Sequence, residues 1–264
     1  MGPGGLPDRS ESEFGPTLFA NGRVALLTVR LSVVIPAYNE AGRIGKTLRG
    51  CLDYFARQDY QFEVVVVDDG SQDGTGDLVR REFPNVRLIS YAPNRGKGYA
   101  VKQGMLAAQG RYRLFYDADG STPISEVDKL WGPLSDGADV VIGSRSSPGS
   151  QVELHQTRLR EFMGRTFNRL THVLLGEHFI DTQCGFKTFT QKATLEIFPR
   201  QTLDRFCFDA ELLYIARAQN LKIAEIPVRW INSPNSRVTL LHDSAQMLKD
   251  LLKIRINALR GKYK

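Results

Sequence analysis

The chain has only three cysteines, Cys51, Cys184 and Cys207, in 264 residues. Their number is odd and their spacing wide. A disulfide framework and a cysteine-rich metal site are therefore both unexpected, and small core hydrophobes in a reducing compartment are the expected role. Long apolar runs are also missing. The longest near the start, Val24 to Tyr38, is interrupted by Arg30 and falls short of the ~20 residues that a membrane-crossing helix needs. The opening Met-Gly-Pro-Gly-Gly-Leu-Pro has neither the basic start nor the apolar core of a signal peptide. Leu6 stands where a myristoylation signal requires Ser or Thr. No Pro/Ser-rich linker or block of like charge divides the chain. These absences predict a flexible tail over residues 1–22 and one domain over 23–264, soluble and cytoplasmic.

Two phosphate-binding motifs are absent as well. Gly45-Lys46-Thr47 looks like the end of a P-loop, but Glu40 occupies the place of its first glycine. Gly96-Lys97-Gly98 begins like a dinucleotide fingerprint, but Val101 replaces the last glycine. The Asn94-Arg95-Gly96-Lys97-Gly98 turn can still offer cations and bare amides to an anion, and a solvated strand-to-helix loop is an equal reading. The net charge of +6 is the only hint of a nucleic-acid binder. No nucleic-acid module accompanies it, so no nucleic-acid partner is expected.

What is present is a set of apolar runs that end in acidic turns. Leu114 to Thr122 reads Leu-Phe-Tyr-Asp-Ala-Asp-Gly-Ser-Thr. Asp117 and Asp119, two apart at a strand end, project to one side and can share a divalent cation that holds a substrate diphosphate. Upstream, Phe62 to Thr75 carries four valines and then Asp68, Asp69 and Gly70, which suits a strand buried on both faces. Leu31 to Glu40 is a third such run. Ligands of open α/β sheets bind at the carboxyl ends of the strands, so three polar strand ends point to one cleft.

The pattern predicts strands near 31–36, 62–68, 86–90, 112–117 and 139–142, with helices near 41–57, 73–82, 97–108 and 125–135 between them. That alternation implies an α/β, Rossmann-like, mostly parallel sheet flanked by helices. Past Gly143 come helices near 155–175, 208–219 and 243–260 and short extended pieces near 185–190 and 222–230. Residues of about 31–143 read as a nucleotide half and about 144–264 as an acceptor-side elaboration of the same domain. On the 155–175 helix, Arg158, Arg165, Arg169 and His172 share one arc, and Leu159, Met163, Phe167, Leu170 and Leu174 another. The last helix is expected to bury Met247, Leu248, Leu251, Leu252, Ile254 and Leu259. Lys249, Lys253 and Arg260 ride the other side, and Arg255 falls inside the apolar arc. Core packing and contact with an anionic membrane surface are both open to it.

With these motifs in place, the chain resembles glycosyltransferase family 2, inverting nucleotide-sugar enzymes of the GT-A fold, from about Leu31 to Arg255. Val-Val-Ile-Pro-Ala-Tyr-Asn-Glu, Val-Val-Asp-Asp-Gly-Ser and Asp-Ala-Asp-Gly carry the likeness. Asn-Arg-Gly-Lys-Gly, Gly-Ser-Arg at 143–145 and Asp-Thr-Gln-Cys-Gly-Phe-Lys at 181–187 narrow it to the polyprenyl-phosphate transferases. Asp-Ala-Asp-Gly-Ser-Thr is similar to the glucosyl rather than the mannosyl branch.

The resemblance implies roles by position. Pro36, Ala37, Tyr38 and Glu40 would line the base and ribose pocket, near Asp68 and Asp69. Asp117, Ala118 and Lys97 would approach the sugar nucleotide. Asp119 would ligate Mg²⁺ or Mn²⁺, with Ser121 where some relatives place a metal-binding Gln. Arg145, Arg160 and Arg237 would hold the acceptor phosphate, and Asp181, Gln183 and Asp209 would line the sugar side. The implied reaction is metal-dependent transfer of a hexose, glucose from UDP-glucose, to a polyprenyl or dolichyl phosphate. GDP-mannose or UDP-N-acetylhexosamine donors, or a soluble hydroxyl acceptor, are the alternatives within the fold. Peripheral contact with the cytoplasmic face of a membrane is expected, aided by an anchoring partner or a homo-oligomer.

Overall fold

Val64 to Val67 are all buried, and their side chains alternate between two separate cores. Val65 and Val67 join one cluster with Val34 and Phe115; Val64 and Val66 join another with Leu31, Val33 and Ile35. A strand that buries both faces must lie between two helical layers, and at about 1.5–3 kcal/mol per fully buried aliphatic side chain this sandwich is a major stabilising contribution. The computed structural model describes residues 19–20, 23–24, 29–154, 158–176, 179–231 and 240–264.

In chain order, β1 (Phe19–Ala20), within the stretch expected as a tail, pairs antiparallel with β2 (Arg23–Val24) at the expected start of the domain. Then come β3 (Leu31–Ala37), α1 (Ile44–Phe55), β4 (Phe62–Asp69), α2 (Thr75–Glu82), β5 (Arg87–Tyr91), α3 (Lys97–Ala107) and β6 (Tyr112–Tyr116). A 3₁₀ segment (Ile124–Leu130) runs into α4 (Trp131–Ser135), where one longer helix was predicted. β7 (Val140–Ser144), β8 (Gln151–Leu154) and α5 (Arg158–Leu175) follow, then β9 (Phe186–Thr190) and α6 (Gln191–Ile197). The chain closes with α7 (Phe208–Ala218), β10 (Ile223–Pro227), β11 (Arg229–Ile231) and α8 (Leu240–Leu259).

The main sheet has the order β10-β7-β9-β6-β3-β4-β5. All its pairings are parallel except those of β9, which runs antiparallel between β6 and β7. The predicted mostly parallel sheet is therefore observed. The 222–230 piece splits in two: β10 adds to β7 in the main sheet, and β11 leaves to pair with β8. β8 and α6 were not predicted. α6 is short, and its start is fixed by Thr190, whose Oγ1 accepts the Ala193 amide at 3.1 Å.

The cysteines are free and buried, as expected. Burial pushes the Cys51 and Cys184 thiols up to about 12. The last helix differs from its expected face. Leu251 and Ile254 are buried together with Asp250 and Asn257, whereas Leu248, Leu252, Ile256 and Leu259 are exposed, as is Arg255. Hydrogen bonds make the two polar residues tolerable inside: Asp250 accepts from Gln246 at 3.0 Å, and Asn257 donates to Thr202 at 3.0 Å. The buried stripe is thus rotated from the most apolar arc. On α5, Phe167 and Leu174 pack on the core, but Leu170 is exposed and His172 bonds the Phe179 carbonyl at 2.6 Å instead of joining a free basic face. Among the described residues, no helix is long and apolar enough to cross a membrane.

Candidate active site

The carboxyl ends of β3, β4, β6 and β7 carry most of the predicted site residues. After β6 the chain turns at once. The Asp117 amide donates to the Gly185 carbonyl at 3.1 Å, the Gly120 amide returns to the Asp117 carbonyl at 3.2 Å, and Gly120 takes φ +63°. Thr47 Oγ1 from α1 holds the Ala118 carbonyl at 2.7 Å, and Tyr116 Oη holds the Thr122 carbonyl at 2.7 Å. The two carboxylates are therefore presented by a turn that is tied at both ends. Gly185 stands against Asp117 so closely that any Cβ there would collide with its carboxylate.

Asp117 Oδ1 pairs with Lys97 Nζ at 2.7 Å, both side chains partly exposed. Burial raises the Asp117 carboxyl above the ordinary range; Lys97 opposes that, and Asp119 and Asp209 add to it. Burial acts against the Lys97 ammonium, but Asp117 and Asp209 outweigh it and leave its pKa raised. Asp117, Asp119 and Asp209 all act on Lys97, and such a concentration of carboxylate favours a further cation.

Asp119 Oδ1 accepts the Ser121 amide at 2.9 Å. Ser121 is buried, and its Oγ has no hydrogen-bond partner among the described residues. An Asp carboxylate beside an unpartnered hydroxyl is a hard-oxygen donor set. It fits Mg²⁺ or Mn²⁺, which are commonly held by one or two carboxylates with phosphate and water completing the shell. No group of three or more His, Cys, Asp and Glu able to hold a metal occurs among the described residues.

The β3 and β4 ends present Tyr38, Glu40, Asp68 and Asp69. Pro36 and Ala37 are buried within β3, and Tyr38 is the first exposed residue beyond them. The Glu40 carboxylate is bound to Arg43, whose Nη2 lies 2.7 Å from Oε1, while its amide donates to Thr75 Oγ1 at 2.8 Å. Arg43 was not singled out in the sequence. Its pKa is raised chiefly by the Glu40 hydrogen bond, with Asp119 and Asp117 adding to it, which puts it in the field of the acidic turn. Its only signal was its place three residues after Glu40, one helical turn on.

Asp68 Oδ1 accepts the Ser71 amide at 3.0 Å, and its other oxygen lies where a Cβ on Gly76 would sit. Asp69 takes three donors: Asn94 Nδ2 at 2.7 Å and the Arg95 and Gly96 amides at 2.8 Å each. Asp69 therefore shapes the Asn94–Gly98 turn. That turn is no free solvated loop, since Gly96 takes φ +113° against the Asp204 carbonyl.

The second group forms after β7. Asp181 grips Arg145 at Nε (2.6 Å), Nη2 (2.8 Å) and the backbone amide (3.0 Å). Burial would raise the Asp181 carboxyl, but Arg145 beside it overrides this and holds it down to about 2. Burial works against the Arg145 charge; Asp181 dominates and raises it, with a contribution from Asp117, so the two groups share one electrostatic site. Trp230 faces the guanidinium at 5.4 Å. The Ile231 amide bonds the Ser121 carbonyl at 2.8 Å, which ties β11 to the acidic turn. Gln183 donates its amide to Asp181 Oδ1 at 3.1 Å, and its side-chain Nε2 is buried with no partner among the described residues.

Asp209, in the first turn of α7, is buried against Lys187 at 2.5 Å, and Lys187 also bonds the Cys184 carbonyl at 2.6 Å. The Asp209 carboxylate is thus committed to a fully buried ion pair. Arg160 lies in α5 with its side chain outside the described residues, and Arg237 lies outside them altogether.

Comparison with known proteins agrees with this architecture. The Glycosyl transferase family 2 model matches residues 32–198. A dolichyl-phosphate beta-glucosyltransferase of Saccharomyces cerevisiae is 37% identical over 256 residues, covering 89% of this chain and 76% of the relative. Proteins of the same name from Dictyostelium discoideum and Homo sapiens are each 35% identical, covering 89% and 90% of this chain and 77% and 78% of their own. Among solved structures, mannosyl-3-phosphoglycerate synthase from Rubrobacter xylanophilus aligns with TM-score 0.66 at 20% identity, over 89% of this chain and 75% of that one. Glucosyl-3-phosphoglycerate synthase from Mycobacterium tuberculosis, crystallised with Mn²⁺, UDP-glucose and phosphoglyceric acid, aligns with TM-score 0.63 at 20% identity, over 87% and 79%. These structures share the GT-A fold of a mostly parallel sheet between helices. The chain belongs to glycosyltransferase family 2 and is a glycosyltransferase.

Proposed function

We propose that the protein transfers glucose from UDP-glucose to a dolichyl or other polyprenyl phosphate, inverting the anomeric carbon to give a β-linked glycolipid. The observation that carries the reading is that, among the described residues, three of the site's carboxylates are each paired with a cation. Asp181 is committed to Arg145, Asp209 to Lys187, and Asp117 to Lys97. A hydroxyl acceptor needs its proton removed. A phosphate acceptor is already an anion and needs positioning against a second anion, which is work for arginine and lysine. The names of the relatives, dolichyl-phosphate beta-glucosyltransferase, agree with that acceptor and sugar.

In this reading Lys97 and Arg43 offset the donor diphosphate, and Tyr38 borders the base. Arg145 holds the acceptor phosphate on the side opposite the leaving group, with Arg160 and Arg237 as further acceptor-phosphate groups. The partner-free Gln183 amide donates to a sugar hydroxyl. Mg²⁺ or Mn²⁺ held by Asp119 and Ser121 would neutralise charge developing on the departing diphosphate. Asp68 and Asp69 act indirectly, by fixing the loops around the nucleotide.

The acceptor lies at headgroup level, so the protein works peripherally at the cytoplasmic face of a membrane. α8 supplies the surface. Leu248, Leu252, Ile256 and Leu259 form an outward apolar stripe. From residue 246 onward the exposed charged side chains are Lys249, Lys253, Arg255, Arg260, Lys262 and Lys264, and the one acidic side chain, Asp250, is buried. Apolar and cationic groups without exposed acid suit an anionic bilayer, with each cation contributing about 1 kcal/mol near such a surface.

Calorimetry with UDP and GDP, each with and without Mn²⁺, tests the donor. UDP should bind more tightly than GDP and the metal should strengthen it. A preference for GDP moves the reading to a mannosyl donor.

A further inference from the structure

Glu225 sits in β10, the edge strand of the main sheet, and no expectation from sequence included it. Its carboxylate accepts two consecutive backbone amides, Asp181 on Oε1 at 2.9 Å and Ile180 on Oε2 at 3.0 Å. A carboxylate that takes two adjacent amides fixes both the position and the tilt of that peptide. The same segment is held from the other side by α5, where Asn168 bonds the Ile180 carbonyl and Thr182 Oγ1, and His172 bonds the Phe179 carbonyl. Asp181 emerges from this clamp and grips Arg145 through three hydrogen bonds.

The strand register explains why the edge strand does this. β10 lies beside β7 with Glu225 opposite Ile142 and Pro227 opposite Ser144. Arg145 follows directly on Ser144, so one strand pair delivers both Glu225 and the arginine. The strand that continues from β10 delivers Trp230 to the guanidinium face. Arg145 is thus held from two directions by a single stretch of chain, at its edge through Glu225 and Asp181 and at its face through Trp230.

We infer that Glu225 is a positioning residue for acceptor binding, acting through the 180–181 peptide and Asp181 to set the orientation of the Arg145 guanidinium. The inference rests on the reading of Arg145 as an acceptor-phosphate ligand. Glu225→Gln keeps one acceptor oxygen and turns an NH₂ group toward a backbone donor, so one amide loses its partner. The loss of a charge-assisted hydrogen bond predicts a rise of about tenfold or more in KM for the lipid phosphate. KM for UDP-glucose and the Kd for UDP should be unchanged, because the donor turn is tied through Thr47 and Gly185 and not through Glu225.

Glu225→Gln, Glu225→Asp and Arg145→Lys should be assayed with UDP-glucose and a short polyprenyl phosphate, with UDP affinity measured on each. A raised acceptor KM at native UDP affinity, in either Glu225 variant, supports the inference. An unchanged acceptor KM in both Glu225 variants, while Arg145→Lys raises it, overturns the relay and leaves the reading of Arg145 intact. An unchanged acceptor KM in Arg145→Lys overturns the reading of Arg145 itself. Loss of UDP binding in both Glu225 variants also overturns the inference, because Glu225 would then be a determinant of the fold.

Discussion

Gly185→Ala tests whether the position of Asp117 limits the reaction. A Cβ at Gly185 would lie 2.5 Å from Asp117 Oδ1 and closer still to Oδ2 and Cγ, whereas ordinary contact begins at 3.4 Å. Oδ1 alone must therefore move by about 1 Å, and the other two atoms by more. The colliding group is the end of a side chain with two rotatable bonds, so it can swing away without moving β6 or β9. The fold should then lose only about 1 kcal/mol, at the low end of the cost of overpacking. Swinging away separates Asp117 from Lys97, now 2.7 Å apart. A misplacement of about 1 Å in a reacting constellation costs on the order of 100-fold in rate. The assay pairs glycolipid formation with a urea melt: turnover should fall about 100-fold or more while the midpoint barely moves. Wild-type turnover in Gly185→Ala would refute the reasoning, since the carboxylate would have been displaced without consequence. A collapsed urea midpoint would place the cost in the fold instead.

Three further outcomes follow from the geometry. Asp119→Ala should abolish transfer and the metal-dependent part of UDP binding while leaving the melting curve near that of the parent, because among the described residues Asp119 hydrogen-bonds only the Ser121 amide of its own turn. Asp181 has its carboxyl held at about 2 against an ordinary 3.8. Its ionised form is favoured in the folded state, so about 2 kcal/mol of stability is present above pH 4 and lost as pH falls from 4 toward 2. Urea melts across that range should show a shallower acid loss for Asp181→Asn than for the parent. Finally, Leu252→Glu or Ile256→Glu, at positions each 47% exposed, should weaken flotation with anionic vesicles while changing stability by no more than about 0.5 kcal/mol. High salt should weaken flotation of the parent too.

Much of the fold over residues 31–143 was legible because its physics is local. The run Val64–Val67 specifies a strand buried on both faces, and the polar residues that follow it mark the carboxyl end where a ligand site forms. Asp117 and Asp119 were legible for the same reason, since the acidic pair sits at the point where the apolar run stops. What stayed hidden depends on partners distant in sequence. Nothing local to Asp69 shows that Asn94, Arg95 and Gly96 enclose it. Lys187 and Asp209 are 22 residues apart and meet only because β9 enters the sheet antiparallel beside β6. Periodicity on α8 pointed to the most apolar arc as the buried one, and the buried stripe is rotated from it. That was decided by Thr202 and Tyr263, which give Asn257 partners inside and leave Leu252 and Ile256 outside.

Product identity decides whether the transfer takes place as proposed. The protein should be incubated with a panel of sugar nucleotides and a polyprenyl phosphate in the presence of Mg²⁺ or Mn²⁺. The lipid product is then identified by mass and its anomeric configuration by NMR. A β-linked glucosyl polyprenyl phosphate should form from UDP-glucose, with UDP released. A glycolipid formed from another sugar nucleotide and not from UDP-glucose, or transfer to a hydroxyl acceptor with none to the lipid phosphate, would contradict it.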